Sequence, residues 1–270
     1  VVLSYQVKID VCIINDSFRE VGVEGNYGDT YSVQKLKDTV LSVLPINNWV
    51  DNYALYRTRV PVPNGPEYLD VPSLEGIKSR GTKPEWVITP MVPGQLVQLY
   101  EKGATISEPG FKASDFIKDG YRRIFSQQKT IVFHPRTSAF SPERNTSIEL
   151  VTGVINFFKS KGIKCVVVPD NEDVRGDFLW NDVPCEVLKE AGSSLEYRLA
   201  VAELATVNFT WAAGISNLFH FSNVNFVQFG LINNKSNIQT PEFYSRKGPA
   251  YGSHPCYLGG NQKFDWTPVS

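Results

Sequence analysis

The chain has 270 residues, 42% of them hydrophobic and 20% charged, with 27 basic side chains against 28 acidic ones. That is enough chain for one large or two ordinary domains with a proper core, and it excludes disordered, fibrous and strongly basic nucleic-acid-binding classes, so no nucleic-acid partner is expected. Any anion this protein takes must be met by local groups, because no general positive field exists to attract it. The cysteines Cys12, Cys165, Cys185 and Cys256 stand far apart with no CxxC or Cys/His cluster, so no metal site is expected. Cys12 and Cys165 fall inside apolar runs and read as small buried hydrophobes of a reducing compartment. No stretch approaches the ~20 apolar residues of a membrane span, and no basic segment precedes an apolar one at the start, so the expected location is cytoplasmic. The first residue is Val, not Met, and the expectation is a native chain longer than these ends.

In chain order, residues 8–14 (KIDVCII) predict a compact strand that empties into Asn15-Asp16-Ser17-Phe18-Arg19. Apolar residues at 33, 36, 40, 41 and 44, closed by Pro45, predict a helix and complete a βα pair. Residues 54–60 alternate like a strand, and a proline-rich irregular stretch follows. A short strand is expected over 86–89, a helix over 95–102, a helix cap at Ser114-Asp115 and a polar connection over 121–128. From Thr130 the pattern sharpens into a strand at 130–133, a loop, a helix from 147 to 161 and a strand at 164–168. Thr146-Ser-Ile-Glu149 has capping-box spacing at the start of that helix, and Gly162 is placed to end it. A helix over 195–205, a strand over 207–211, a small-residue turn at 212–216, a short helix from 217 to 221 and a strand over 225–229 follow, and beyond Gly230 the chain is polar and loop-rich. Alternating strands and helices of this kind build a doubly wound α/β sheet.

The loop FHPRTSAFSPERN, residues 133–145, joins a buried strand to a helix through a histidine, two arginines and two prolines. In an open parallel sheet, ligands bind beyond the carboxyl ends of the strands, where helix N-termini also point. Arg136 and Arg144 there would bring planar, bidentate donors to a phosphate. No G-x-G-x-x-G follows the strand and no G-x-x-x-x-G-K-S/T occurs, which argues against the usual NAD enzymes and P-loop NTPases. Two surface arginines are more often solvated or paired, and Glu143 stands beside Arg144 for that purpose. Three further places shift the balance towards a ligand: Asp170–Asp173 after one strand, Asn208–Ser216 after the next, and Asp16–Arg19 in the other half. In the small-residue turn, Gly214 either admits a phosphate or ribose close to the backbone or serves tight strand–helix packing.

The segments HPR, PERN, KGIKCVVVPD, LEYRLAVAELA and FTWAAGISN, over about residues 128–230, resemble the C-terminal half of GT-B glycosyltransferases. Within these they look like a bacterial and viral group, and more distantly like protein O-fucosyltransferases and heptosyltransferases. The resemblance implies an α/β protein of two Rossmann-like domains facing across a cleft, expected here as an acceptor-side domain at 1–125 and a nucleotide-sugar donor domain at 126–270. It implies transfer of a sugar from a nucleoside-diphosphate sugar to a glycan or lipid-linked acceptor, which allows peripheral membrane contact, with no cofactor. The strand-end arginine of the family falls on Arg136, with His134 two residues before it, and the family's Gly-turn falls on Gly214, Ile215 and Ser216. Where many relatives carry Asn-Asn-Gly-Pro, this chain has Ala212-Ala213-Gly214-Ile215 and so lacks both side-chain amides.

The expected donor-side set is therefore His134, Arg136, Arg144, Asn145, Asp170, Glu196, Gly214, Ile215 and Ser216. Glu196 has a second explanation, since an acidic residue at a helix start is favoured by the helix dipole. The absence of a D-x-D triplet agrees with a metal-independent reaction in which arginines balance the departing diphosphate. Asp16, at a strand end in the other half, is the candidate general base, with Arg136 as the second catalytic residue and Arg19 and Tyr27 on the acceptor side. The rival expectations are a non-catalytic sugar- or anion-binding protein of the same architecture, or a nucleotide-sugar epimerase.

Overall fold

A computed structural model of the chain describes residues 9–14, 41–43, 45–47, 50–56, 109–138, 142–175, 179–233, 235, 239–247, 251–252 and 261–268. Strand β1 (Ile9–Ile14) pairs in parallel with β2 (Val50–Tyr56) in a sheet of two strands. A second sheet holds six strands, β3 (Thr130–His134), β4 (Lys164–Val167), β5 (Glu186–Val187), β6 (Val207–Trp211), β7 (Phe226–Phe229) and β8 (Gln262–Phe264). All are parallel, in the spatial order β5-β4-β3-β6-β7-β8. The chain enters at the centre, runs out to one edge, returns past its starting strand and runs out to the other edge. This is the Rossmann order, and it reverses between β3 and β6.

Local chemistry accounts for the elements that flank that reversal. All five residues of β3 are buried, as a central parallel strand covered on both faces requires. Helix α2 of the β3–β4 crossover (Ile148–Ser160) buries Val151 and Ile155, one turn apart, and is capped by Ser147, whose hydroxyl accepts from Leu150 N at 3.2 Å. The cap is one residue later than capping-box spacing suggests, because the Thr146 hydroxyl is bonded to Arg136 N. Gly162, at φ 70°, ends α2 as expected. On this side Ile131, Phe133, Cys165, Val167, Trp180 and Val183 pack with Val151 and Ile155.

Helix α1 (Asp115–Phe125), α3 (Asn171–Arg175), α4 (Lys189–Ser193), α5 (Leu195–Leu204), α6 (Gly214–His220) and α7 (Pro241–Lys247) complete the α-helices among the described residues, and Leu41–Val43 forms a 3-10 turn. Helix α5 lies between the sheet and α1, and it buries Arg198, Leu199, Ala200, Val201 and Ala202 in succession. Burial on this helix therefore extends beyond any single apolar stripe.

Several boundaries differ from the sequence reading. Helix α1 runs to Phe125, where a polar connection was expected, because Ile117, Tyr121 and Ile124 recur at helical spacing and pack on the cores around α5. Helix α6 starts at Gly214, not 217, and β2 starts at Val50, not 54. Strand β8 went unseen because it is three residues long and its inward Gln262 is polar: the amide donates to the carbonyls of Phe219, Ser222 and Val224. The expected elements at 86–89 and 95–102 lie outside the described residues. Among the described residues no helix is long and apolar enough to cross a membrane.

After β7 the chain turns at Gly230, which has φ +67° and would bring an added Cβ within 2.6 Å of the Trp211 indole. Strain and overlap act together there, so Gly230→Ala is expected to lower stability by about 2–3 kcal/mol, read as a shift of the urea midpoint at constant m-value.

Candidate functional site

The reversal of strand order places the end of β3, at His134, beside the end of β6, at Trp211, with His134 in register with Thr210. The long loop after β3 is closed on itself. Arg136 N donates to Thr146 Oγ1 at 2.8 Å and Thr146 N donates back to Arg136 O at 2.9 Å. The Asn145 amide bonds both sides of the Ser138 peptide, accepting from its N at 2.9 Å and donating to its O at 3.1 Å. Asn145 Oδ1 also receives Arg136 Nη1 at 2.7 Å. The length and polarity of the loop thus make a self-bonded clasp, and Thr146, which sequence reasoning assigned only to the helix cap, is one of its two fasteners.

The two arginines differ. Arg136 is 7% exposed, with its guanidinium held by Asn145. Arg144 ends a single 3-10 turn (Pro142–Arg144), and its Nη2 donates to Ala212 O at 3.2 Å, across the strand reversal. Its Nε is buried without a hydrogen-bond partner, and among the described residues no carboxylate pairs with it. Burial lowers its pKa, with the Tyr244 hydroxyl and the Glu143 carboxylate acting in the opposite direction. An arginine remains charged through such a shift. The 3-10 turn is itself tied down from the segment after β7, where Asn233 Nδ2 donates to Glu143 O at 3.0 Å.

His134 is 1% exposed and its Nε2 lies 3.0 Å from Asn208 Oδ1. Asn208 Nδ2 donates to the carbonyls of Ala202 and Asn225 at 2.9 and 3.0 Å, which fixes the amide and makes His134 Nε2 the donor. Burial, with Arg198 nearby, drives the His134 pKa down to about 3. His134 is thus a neutral structural group in this state, holding the strand from which Arg136 follows.

At the end of β4, both Asp170 oxygens are engaged by backbone donors, Thr137 N at 3.1 Å and Asn171 N at 2.7 Å, so this residue secures the clasp from the neighbouring strand. Arg198, 3% exposed, donates to Pro169 O at 2.5 Å and Gly192 O at 3.2 Å. Burial lowers its pKa, while the carboxylates of Asp170 and Asp173 act against that. Its hydrogen bonds thus go to carbonyls, with two carboxylates in its field. Asp173 is buried and accepts from Trp180 Nε1 at 2.7 Å.

At the end of β6, Gly214 is exposed and an added Cβ would meet nothing within 4 Å. Tight strand–helix packing does not explain this glycine. Ile215 packs into the core, and the Ser216 hydroxyl is bonded to Ala213 O at 2.6 Å. Glu196 is placed elsewhere than at the strand reversal: its carboxylate accepts from Ser114 N at 3.4 Å, next to Glu203, which accepts from Ala113 N at 3.0 Å. Both stabilise the start of α1. Asp16, Arg19 and Tyr27 lie outside the described residues. Among the described residues no group of three or more His, Cys, Asp or Glu is disposed to hold a metal.

No protein-family model and no curated protein matches the chain. Among solved structures it is similar to a glycosyl transferase family 9 protein from Veillonella parvula, at 17% identity and TM-score 0.39, over 52% of this chain and 39% of that one. It is also similar to KpsC, a beta Kdo 2,4 transferase from Thermosulfurimonas dismutans, at 9% identity and TM-score 0.32, over 83% of this chain and 80% of that one. The chain therefore spans well under half the length of the first of these proteins.

Proposed function

We propose that the protein is a glycosyltransferase of the two-domain GT-B kind that takes a nucleoside-diphosphate sugar as donor and a glycan or lipid-linked acceptor. The observation that carries this reading is Arg144: a guanidinium without a carboxylate partner among the described residues, fixed at the strand reversal of a Rossmann sheet. A partly buried cation of this kind costs desolvation energy that folding alone does not return, and an incoming anion would offset it. The likeness of the HPR, PERN and FTWAAGISN segments to GT-B donor halves supports the same reading, as does the open space at Gly214.

In this mechanism glycosyl transfer builds negative charge on the departing phosphate oxygen as the bond to the sugar breaks. Arg144 meets that charge directly, and Arg136 supports it from within the clasp. Arg136 is held at 2.7 Å by Asn145 and Arg144 is anchored on the Ala212 carbonyl, so the cations stand in place before the charge develops. Asp16 is the proposed base for the acceptor hydroxyl, with Arg19 and Tyr27 beside the acceptor. Arginine neutralisation, together with the lack of a D-x-D triplet, favours a reaction that proceeds without added divalent cation.

Titration of the protein with GDP, UDP and ADP is the direct test. At least one should bind, and Arg144→Ala should weaken it by roughly tenfold to a hundredfold, the range for a lost charge-assisted hydrogen bond. Failure of all three to bind, or equal binding by Arg144→Ala, removes the reading.

A further inference from the structure

Donors outnumber acceptors around Arg144. Its Nη2 takes the Ala212 carbonyl, its Nε is buried without a hydrogen-bond partner, and the neighbouring Glu143 carbonyl is taken by Asn233 Nδ2. A further donor stands on helix α7. Tyr244 packs against the core cluster that contains Ala212, the residue on whose carbonyl Arg144 is anchored. Its phenol and the Arg144 guanidinium are close enough for each to act on the other's charge. A tyrosine hydroxyl at a partly buried position usually finds a protein partner, yet among the described residues the Tyr244 hydroxyl makes no hydrogen bond.

The fold fixes this ring from several sides. Asn233 N donates to Gln239 O at 2.9 Å and Gln239 Nε2 donates to Gly230 O, which ties together the connection from β7 to α7. Thr240 Oγ1 accepts from Phe243 N at 3.2 Å and Pro241 takes the first helical position, so α7 starts at a defined point. Tyr244 follows on the first turn, edge-on to Trp266 with ring centroids 5.2 Å apart and planes at 87°. Trp266 comes just after β8, so the edge strand that supplies no polar group to the site still holds the phenol in place.

We propose that Tyr244 is the second donor of the anion site, its hydroxyl bonding a phosphate oxygen of the diphosphate that Arg144 meets. The inference rests on the donor reading of Arg144 and deepens it, since the cation keeps the role already given. Two donors with no acceptor between them are both satisfied by one oxyanion. Burial raises the Tyr244 pKa to about 12, with the Arg144 charge acting in the opposite direction, so the phenol keeps its proton and remains a donor near neutral pH. A neutral donor stabilises the growing charge on the departing oxygen without a second buried cation and its desolvation cost.

Calorimetric titration of the whole chain with GDP, UDP, ADP and inorganic diphosphate tests it. Tyr244→Phe should weaken whichever of these binds by roughly tenfold, the effect of a neutral donor lost from a charged acceptor. Its urea midpoint should not move, because the hydroxyl bonds nothing among the described residues. Tyr244→Met, which also lacks the hydroxyl, should lose at least as much affinity. In an Arg144→Ala background the Tyr244→Phe loss should shrink, since the two donors share one anion. Unchanged affinity in Tyr244→Phe, a loss that persists in full without Arg144, or a loss matched by a lowered urea midpoint would overturn the proposal. Nucleoside diphosphate binding that depends on Arg144 and not on Tyr244 removes this inference and leaves the donor reading intact. Inorganic diphosphate binding that needs both residues, with none of the three nucleotides bound, does the reverse, and binding of none of the four removes both.

Discussion

Acidification from about pH 7.5 to about pH 5 is expected to remove about 4 kcal/mol of stability, about 2 kcal/mol from each of two buried histidines. His134 and His220 are 1% and 4% exposed, and burial takes their pKa values down to about 3 and about 4. His134 is bonded to Asn208, edge-on to Phe219, with the Arg198 charge nearby. His220 is bonded to Gln228 at 2.7 Å and packed against Phe226 and Phe264. In the unfolded chain both would take up protons near the ordinary value of 6.5. The unfolded state therefore binds more protons as the pH falls below that value. The stability present above it is lost progressively as the pH drops towards the folded-state values. Asp173, whose pKa burial raises, works the other way and softens the loss. Urea unfolding at several pH values measures the effect, and His220→Gln should reduce the pH slope by about half whatever it does to the midpoint. A midpoint independent of pH across this window would show that the histidines are not buried as described. Since typical domains have only about 5–15 kcal/mol to lose, the acid limit of any activity assay should follow this unfolding, not the titration of a catalytic group.

The second large effect is expected at Asn208, which is 0% exposed. Its side chain makes three bonds, to the carbonyls of Ala202 and Asn225 and to His134 Nε2. Asn208→Leu keeps the volume and removes all three, stranding the His134 N–H in the core, and should cost about 3 kcal/mol by chemical denaturation. Some relief comes from Asn208 N, which still donates to Asn225 O at 2.9 Å. The loss should exceed that of an ordinary apolar swap, and a change below about 1 kcal/mol would mean the amide network is not a structural unit. The consequence reaches the site because β3 and β6 flank the strand reversal. The same substitution should also weaken whatever anion Arg144 receives.

Much of the α/β half was legible from local pattern. Periodicity marked β3, α2, β4, α5, β6 and β7, since each carries either a continuous apolar run or an apolar stripe. Polar residues pointing inward hid the rest: Gln262 in β8 and Asn233 and Gln239 after β7 are buried, and no hydropathy pattern announces a buried amide. The candidate site was legible by position and not by role. His134, Arg136, Arg144, Asn145, Asp170 and the turn at 212–216 do lie at the carboxyl ends of β3, β4 and β6. Yet His134, Asn145 and Asp170 spend their polar atoms on the scaffold, and Glu196 serves the start of α1. A sequence lists side chains that can bind phosphate, but the bonds already made decide which remain available.

By itself the sequence determined that the second half of this chain alternates strand and helix, and that arginines stand in a loop where a parallel strand ends. Those are consequences of spacing along the chain and need no partner. The order of the strands, the inward turn of Arg136 and the exposure of Arg144 to the reversal point were decided only by tertiary structure. They depend on residues such as Asn208, Ala212 and Asn233, distant in sequence, whose contacts form only when the whole sheet is assembled.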